Sequence, residues 1–131
     1  MNKVNVRTSK TQQFINITNQ IEKAVADSGV ADGIVVIFVP HTTAGVTINE
    51  NSDPDVVFDI INSLEKTYPE QGRYTHFEGN SHAHIKASLM GSSATVIIEK
   101  GHLKLGRWQG IYFCEFDGPR NREVYIKIIS G

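Results

Sequence analysis

Val4, Val6 and Thr8 alternate with Asn5 and Arg7, and a second short apolar segment covers residues 14–17, so the chain opens with two predicted strands. From Thr18, read as an N-cap, Ile21, Ala24, Val25 and Ser28 recur at helical spacing, Glu22 and Lys23 face outward, and Gly29 ends the helix. Residues 33–40 are continuously apolar, the pattern of a strand covered on both faces, and residues 45–49 follow across the polar turn His41 to Ala44. Asp53-Pro54 has the form of a cap followed by proline at the first helical position, with Val56, Val57, Ile60, Ile61 and Leu64 marking one face of the helix. Residues 67–80 hold Pro69, Gly72 and Gly79 and no period, which predicts a long loop of the kind that is functional or mobile. Asn80 or Ser81 then caps a short helix carrying Ile85, Leu89 and Met90 and stopped by Gly91. Strands over residues 94–100, 108–117 and 122–130 complete the pattern. This order lacks the regular alternation of a doubly wound parallel sheet and predicts one α+β domain over residues 1–131 with an antiparallel sandwich.

Composition narrows the function classes. The 131 residues are 40% hydrophobic and 21% charged, ordinary for a globular domain with a real core. Thirteen Lys plus Arg against fourteen Asp plus Glu leave a net charge of -1, so no overall field points to nucleic acid or an anionic membrane. The single Cys114 has no internal disulfide partner, and the N-terminus lacks the apolar core of a signal peptide. No apolar run approaches the ~20 residues that cross a bilayer. A cytoplasmic protein with no membrane role is expected.

Three constellations carry chemistry. The first packs His76, His82 and His84 into nine residues beside Glu78 and Lys86, with His41 behind them, which raises the prior for a metal or acid–base site. On a helix, His82 and His84 project roughly 200° apart, so one faces inward and one outward, and a mononuclear metal site needs His41 and His76 as complements. The competing reading is loop histidines and helix caps at equal weight, since no zinc spacing such as His-Glu-x-x-His occurs. The second constellation is Glu50, Asp53 and Asp55 at a strand-to-helix junction, where carboxylates can hold Mg2+. Asp53 and Asp55 have sufficient structural reasons as cap and first-turn residues, which leaves Glu50 as the candidate. The third runs from Gly106 to Arg120. Glu115, flanked by apolar residues, needs a partner such as Arg120, Arg107 or a cation, and a structural salt bridge is the bland alternative. Trp108 can stack on a ring substrate, although packing is the commoner duty, and Cys114 reads as core.

Several motifs in one order then resemble the YjbQ family: Pro40-His41-Thr42-Thr43-Ala44, Asn49-Glu50, His76, residues 80–91 with Ala83-His84-Ile85-Lys86-Ala87-Ser88-Leu89, Gly106-Arg107-Trp108-Gln109-Gly110, and Glu115 to Arg120. The resemblance spans nearly the whole chain. It implies an α+β fold with a seven-stranded β-sandwich and two to three helices, and a homotrimer whose packed sheets account for strands apolar on both faces. It also implies a divalent metal, zinc or Mg2+, held by His41, His76 and His84 with His82 as a further ligand. The family is of the secondary thiamine-phosphate synthase type, so the activity implied joins a pyrimidine diphosphate to a thiazole phosphate. In that setting His84, Glu50 and Lys86 are the candidate catalytic groups, and Trp108, Gln109, Arg107, Glu115 and Arg120 would touch a small phosphorylated substrate. Arg107 departs from the smaller residue expected in that motif. The alternatives are a noncatalytic trimeric module that binds a metal or metabolite, and a metal-dependent hydrolase.

Overall fold

In the computed structural model, which describes residues 2–131, the elements run β1 (Asn2–Arg7), β2 (Gln13–Asn16), α1 (Thr18–Ser28), β3 (Gly33–Phe38), β4 (Ala44–Glu50), α2 (Pro54–Thr67), α3 (Ser81–Met90), β5 (Ser93–Glu99), β6 (His102–Leu103), β7 (Gln109–Glu115) and β8 (Asn121–Ser130). They form two antiparallel sheets, ordered β1-β8-β3-β5-β6 and β2-β7-β4. The seven strands read from the sequence are all present. The eighth, β6, is a two-residue return of the chain against β5, too short to leave a period.

Alternation decides what each sheet buries. Val6, Val35, Ile37, Val96, Ile98, Val124 and Ile126 from the larger sheet form one buried cluster with Val46, Ile111 and Phe113 from the smaller, and α1 adds Ile21 and Val25. Each such side chain taken fully out of water contributes about 1.5–3 kcal/mol. The opposite face of β7, Tyr112, Cys114 and Phe116, packs under Ala83 and Ala87 of α3, with Val57 and Leu64 of α2 at its margin. A strand apolar on both faces is therefore covered within one chain here, by helices.

The opposite holds for β3. Its second face shows Ile97 at 60% exposure and Ile129 at 46% across from Ile34, and Phe38 at 43% four residues further along β3, so the cover expected over residues 33–40 exists on one side only. No helix among the described residues is long and apolar enough to cross a membrane.

Local sequence explains where the helices begin. Asp53 caps α2 by accepting the Asp55 N–H at 3.0 Å ahead of Pro54, as the sequence predicts. Thr18, expected as a cap, is instead the first residue of α1. The Asn16 side-chain oxygen accepts its N–H at 3.0 Å, and the Thr18 hydroxyl accepts the Ile111 N–H at 2.9 Å, tying helix to sheet. Gly45 permits α3 to lie close on β4, since a Cβ there would stand 2.7 Å from the Gly91 carbonyl oxygen.

The most constrained polar group is Glu115. It is fully buried, and its partner is Arg122, not Arg120 or Arg107. The register explains the correction: Arg122 pairs with Val6 and shares the inward phase of Val124 and Ile126, whereas Arg120 lies in the preceding turn and bonds Asp117. Arg122 donates through Nε and a terminal nitrogen to the two carboxylate oxygens, and Thr8 and the Phe116 and Asp117 amides also donate to them. Replacing Glu115 with alanine leaves a buried guanidinium without its counter-charge. A loss of about 3–5 kcal/mol in denaturant-derived stability is expected; a loss below 1 kcal/mol would show that water reaches Arg122.

Candidate functional site

Helix α3 splits its two histidines as its geometry requires. His82 is buried, and His84 is half-buried on the outer side. The loop between α2 and α3 brings His76 to His84, with ring centroids 5.7 Å apart in an edge-to-face pair, and His76 Nδ1 lies 3.2 Å from the Ser81 hydroxyl. His84 lines two hollows. One, of about 460 Å3, is formed by Tyr74, Thr75, His76, Ser81, His84 and Ile85. The other, of about 480 Å3, reaches His41 past Thr42, Ala44 and Ser88. Three imidazoles thus stand along a groove made of two hollows that share His84 in their walls.

His41 has a defined protonation pattern. Beyond the end of β3, where Pro40 follows, His41 Nε2 accepts the Glu123 N–H at 3.0 Å. A nitrogen that accepts an amide proton carries none itself, so the neutral ring holds its proton on Nδ1. Burial, and then the nearby Arg122 guanidinium, lower the His41 pKa below its ordinary value and favour this neutral form.

His82 and Lys86 belong to a lock beneath the groove. Lys86 is wholly buried, and its ammonium contacts Glu65 at 2.7 Å, His82 Nδ1 at 2.9 Å and Gln12 at 3.1 Å. Three acceptors match three ammonium protons. Lys86, expected as a catalytic group, is therefore fully engaged in joining α3 to α2 and to the segment before β2. Burial and then Lys86 lower the His82 pKa, which keeps that ring a neutral acceptor.

The remaining candidates lie elsewhere. Glu115 is buried with both oxygens bonded and presents nothing to a ligand. Glu50 pairs with Gln109, whereas Ala44 pairs with Glu115 at the other end of the same ladder. Six residues of strand separate the two ends, about 20 Å. The Glu50 carboxylate accepts the Ser52 N–H and hydroxyl, which hold its pKa below the ordinary value. Gln109 turns its side-chain oxygen onto the Gly106 N–H. Trp108 is exposed just before β7, not within a strand, and the Arg107 guanidinium covers one face of its ring at 4.8 Å. Arg120 is paired with Asp117.

Along its length the chain matches the family model described as UPF0047 protein YjbQ-like, over residues 2–131. It belongs to the YjbQ family. The UPF0047 protein MJ1081 of Methanocaldococcus jannaschii is 57% identical over 98% of this chain and 93% of its own. YugU of Bacillus subtilis is 49% identical over 95% and 96%. A YjbQ/UPF0047-family crystal structure from Clostridium acetobutylicum superposes with a TM-score of 0.97 at 64% identity, covering 98% of this chain and all of the other. A YjbQ-like protein from Sulfolobus solfataricus keeps a TM-score of 0.95 at 31% identity over 99% and 96%.

For this YjbQ chain the metal expected from sequence meets a geometric test. Among the described residues no three His, Cys, Asp or Glu side chains stand together as a metal-holding group. His41 Nε2 is taken by the Glu123 amide and His82 Nδ1 by Lys86, so His76 and His84 alone converge, one or two short of a structural or catalytic sphere. The residues of one chain do not fit a resident metal. The sequence reading also missed Arg122 and Arg7 at the far end of the groove. Arg122 was detectable as a charge in the apolar phase of β8; Arg7, on a polar phase, left no signal.

The Lys86 lock has a pH signature. Burial opposes ionisation of Glu65, but bonds from Lys86, the Glu70 amide and Gln12 outweigh it and lower its pKa from 4.5 to about 2. A carboxyl with a lowered folded value stabilises the protein above its ordinary pKa and loses that contribution as pH falls through the folded value. Stability measured by denaturant titration should decline between pH 4.5 and about 2, and Glu65→Gln should flatten that decline. An identical pH profile in the variant would remove Glu65 from the lock.

Proposed function

We propose that this YjbQ-family chain is an enzyme for small phosphorylated substrates, with His84 and His76 as the groups that exchange protons with the substrate and His41 as a neutral donor beside them. The observation that carries this reading is that His84, paired with His76, lines two adjoining hollows, one shared with His76 and the other with His41. Tyr74 and Ile85 offer an apolar wall for a ring or chain, and Ser81, Thr42 and Ser88 place polar groups nearby. Positioned proton transfer of this kind contributes about 10²–10⁴ in rate. The nameable reaction in this class is the joining of a pyrimidine diphosphate to a thiazole phosphate, with pyrophosphate leaving. A divalent cation enters the proposal as a companion of the substrate's phosphates, in keeping with the incomplete protein sphere. The lone buried thiol of Cys114 suits the cytoplasm.

A noncatalytic binding module is the competing reading. It draws support from Lys86, expected as catalytic, and Glu115, expected to touch substrate, both being engaged by internal partners.

The deciding experiment screens phosphate esters, diphosphates and the pyrimidine–thiazole pair against wild type and His84→Ala, with metal content measured by mass spectrometry. Turnover in wild type that drops about 10²-fold or more in a folded His84→Ala supports the enzyme. Equal turnover in both sinks it, and stoichiometric binding with no turnover favours the module. Near-stoichiometric metal in the purified protein would mean that another copy completes the sphere.

We also propose the homotrimer, with Phe38, Ile97 and Ile129 at its contact, because soluble monomers rarely gather several exposed large apolar side chains on one sheet face. A solution mass near three times 14.5 kDa is expected, reduced by Phe38→Glu; a wild-type mass of one chain refutes it.

A further inference from the structure

His41 also lines a further hollow of about 440 Å3 at the end of β1 and the start of β8, together with Asn5, Arg7, Asn121, Arg122 and Glu123. None of the groups assigned above to proton transfer except His41 reaches it. The antiparallel register sets Asn5 across from Glu123 and Arg7 across from Asn121, so four of these residues share one face of a rigid sheet. A smaller hollow, lined by Thr8, Pro119 and Arg120, shares Arg7 and Asn121 with it.

The charges here are unequal in what they leave free. Arg122 is neutralised by Glu115, and Arg120 by Asp117. Glu123, the one acid in the lining, is drawn to Lys3 at 3.2 Å and accepts the Tyr125 hydroxyl at 3.2 Å, and these contacts lower its pKa. Arg7 stands in no ion pair among the described residues. One guanidinium outside any ion pair therefore lines the hollow together with two asparagines, and the neutral His41 ring lines both this hollow and the one that His84 lines. A planar five-donor fork flanked by amide donors is suited to an oxyanion, which it can grip through two parallel bonds.

We propose that this hollow is an oxyanion subsite, in which Arg7, aided by Asn121 and Asn5, holds the phosphate or carboxylate end of a small ligand whose other end passes His41 toward His84. As a substrate subsite it rests on the enzymatic reading of the groove; as an anion site it stands on its own. It adds Arg7 to the phosphate-binding residues expected from sequence, and it assigns Arg120, already held by Asp117, to the rim.

The test reads binding without turnover. Isotope-labelled full-length protein is titrated with inorganic phosphate and, separately, with acetate, and amide shifts are followed by NMR. Phosphate is expected to shift the amides of Arg7, Asn121 and His41, with affinity about ten- to a hundredfold weaker in Arg7→Gln. Asn121→Ala should weaken it less, and His84→Ala should leave it unchanged. Both Arg7 and Asn121 are exposed, so neither substitution opens the core. Stronger shifts from acetate at the same amides would keep the subsite and assign a carboxylate. Absence of shifts from either ion, shifts confined to other residues, or equal affinity in Arg7→Gln overturns the proposal. Loss of turnover in His84→Ala with phosphate binding intact separates the groove's chemistry from this subsite, and an inactive wild type that still binds phosphate through Arg7 would sink the enzyme while leaving the anion site standing.

Discussion

The buried pair between Glu115 and Arg122 is the constraint around which the rest is arranged. It joins the last residue of β7, in the smaller sheet, to the second residue of β8, in the larger, across a turn of five residues. Thr8 and Thr43 are drawn in as well, Thr8 donating to the carboxylate and Thr43 accepting from the guanidinium. A charged pair in an apolar interior is weak evidence for added stability, because desolvation offsets much of the attraction. Its effect here is positional. Its donors and acceptors take partners from both sheets, and the placement that meets them sets Thr43, and His41 two residues before it, against the start of β8.

The groove inherits this precision through backbone contacts. His41 occupies the place where a strand carbonyl would otherwise take the Glu123 N–H, so its ring is held as part of the ladder and not as a free side chain. His84 is fixed differently, by the docking of α3 on β4 and β7 and by the Lys86 lock below it. His76 rides on the connecting loop, held by Ser81 and His84. Two imidazoles on a rigid frame and one on a loop form an arrangement in which a ligand can change the third without disturbing the other two.

Much of the fold could be read from periodicity. The Asp53-Pro54 start of α2, the seven longer strands and the opposed directions of His82 and His84 all follow from local chemistry that tertiary context does not override. The site was less legible because its residues are assigned by distance in space. The family resemblance joined Glu50 to the histidines in one set, yet β4 runs from Ala44, close behind His41 in the chain, to Glu50 at the opposite end of a ladder. Lys86 was read as catalytic and Glu115 as a substrate contact or a structural salt bridge, because charged residues in apolar surroundings are conspicuous in sequence. In the structure such residues are the ones that most need internal partners, and those partners leave nothing over for a substrate. Arg7 shows the converse: an alternating polar position on an edge strand looks ordinary, and its significance depends on finding that no acid pairs with it.

The outer face of the larger sheet is divided by the same alternation. Toward one end it presents Ile34, Ile97 and Ile129; Phe38 lies beside Tyr125 near the middle, and the other end presents Asn5, Arg7, Asn121 and Glu123. A second copy seated on the apolar part, as in the proposed trimer, would bury it without desolvating Arg7, whose burial beside another protein surface would be costly without an acid to meet it. Arg7 and its amide neighbours are then left at the rim, with their donors directed to solvent and to whatever anion enters. Association and ligand capture can share one sheet because its side chains separate into an apolar end and a donor-rich end, with His41 at the boundary between that donor-rich end and the groove.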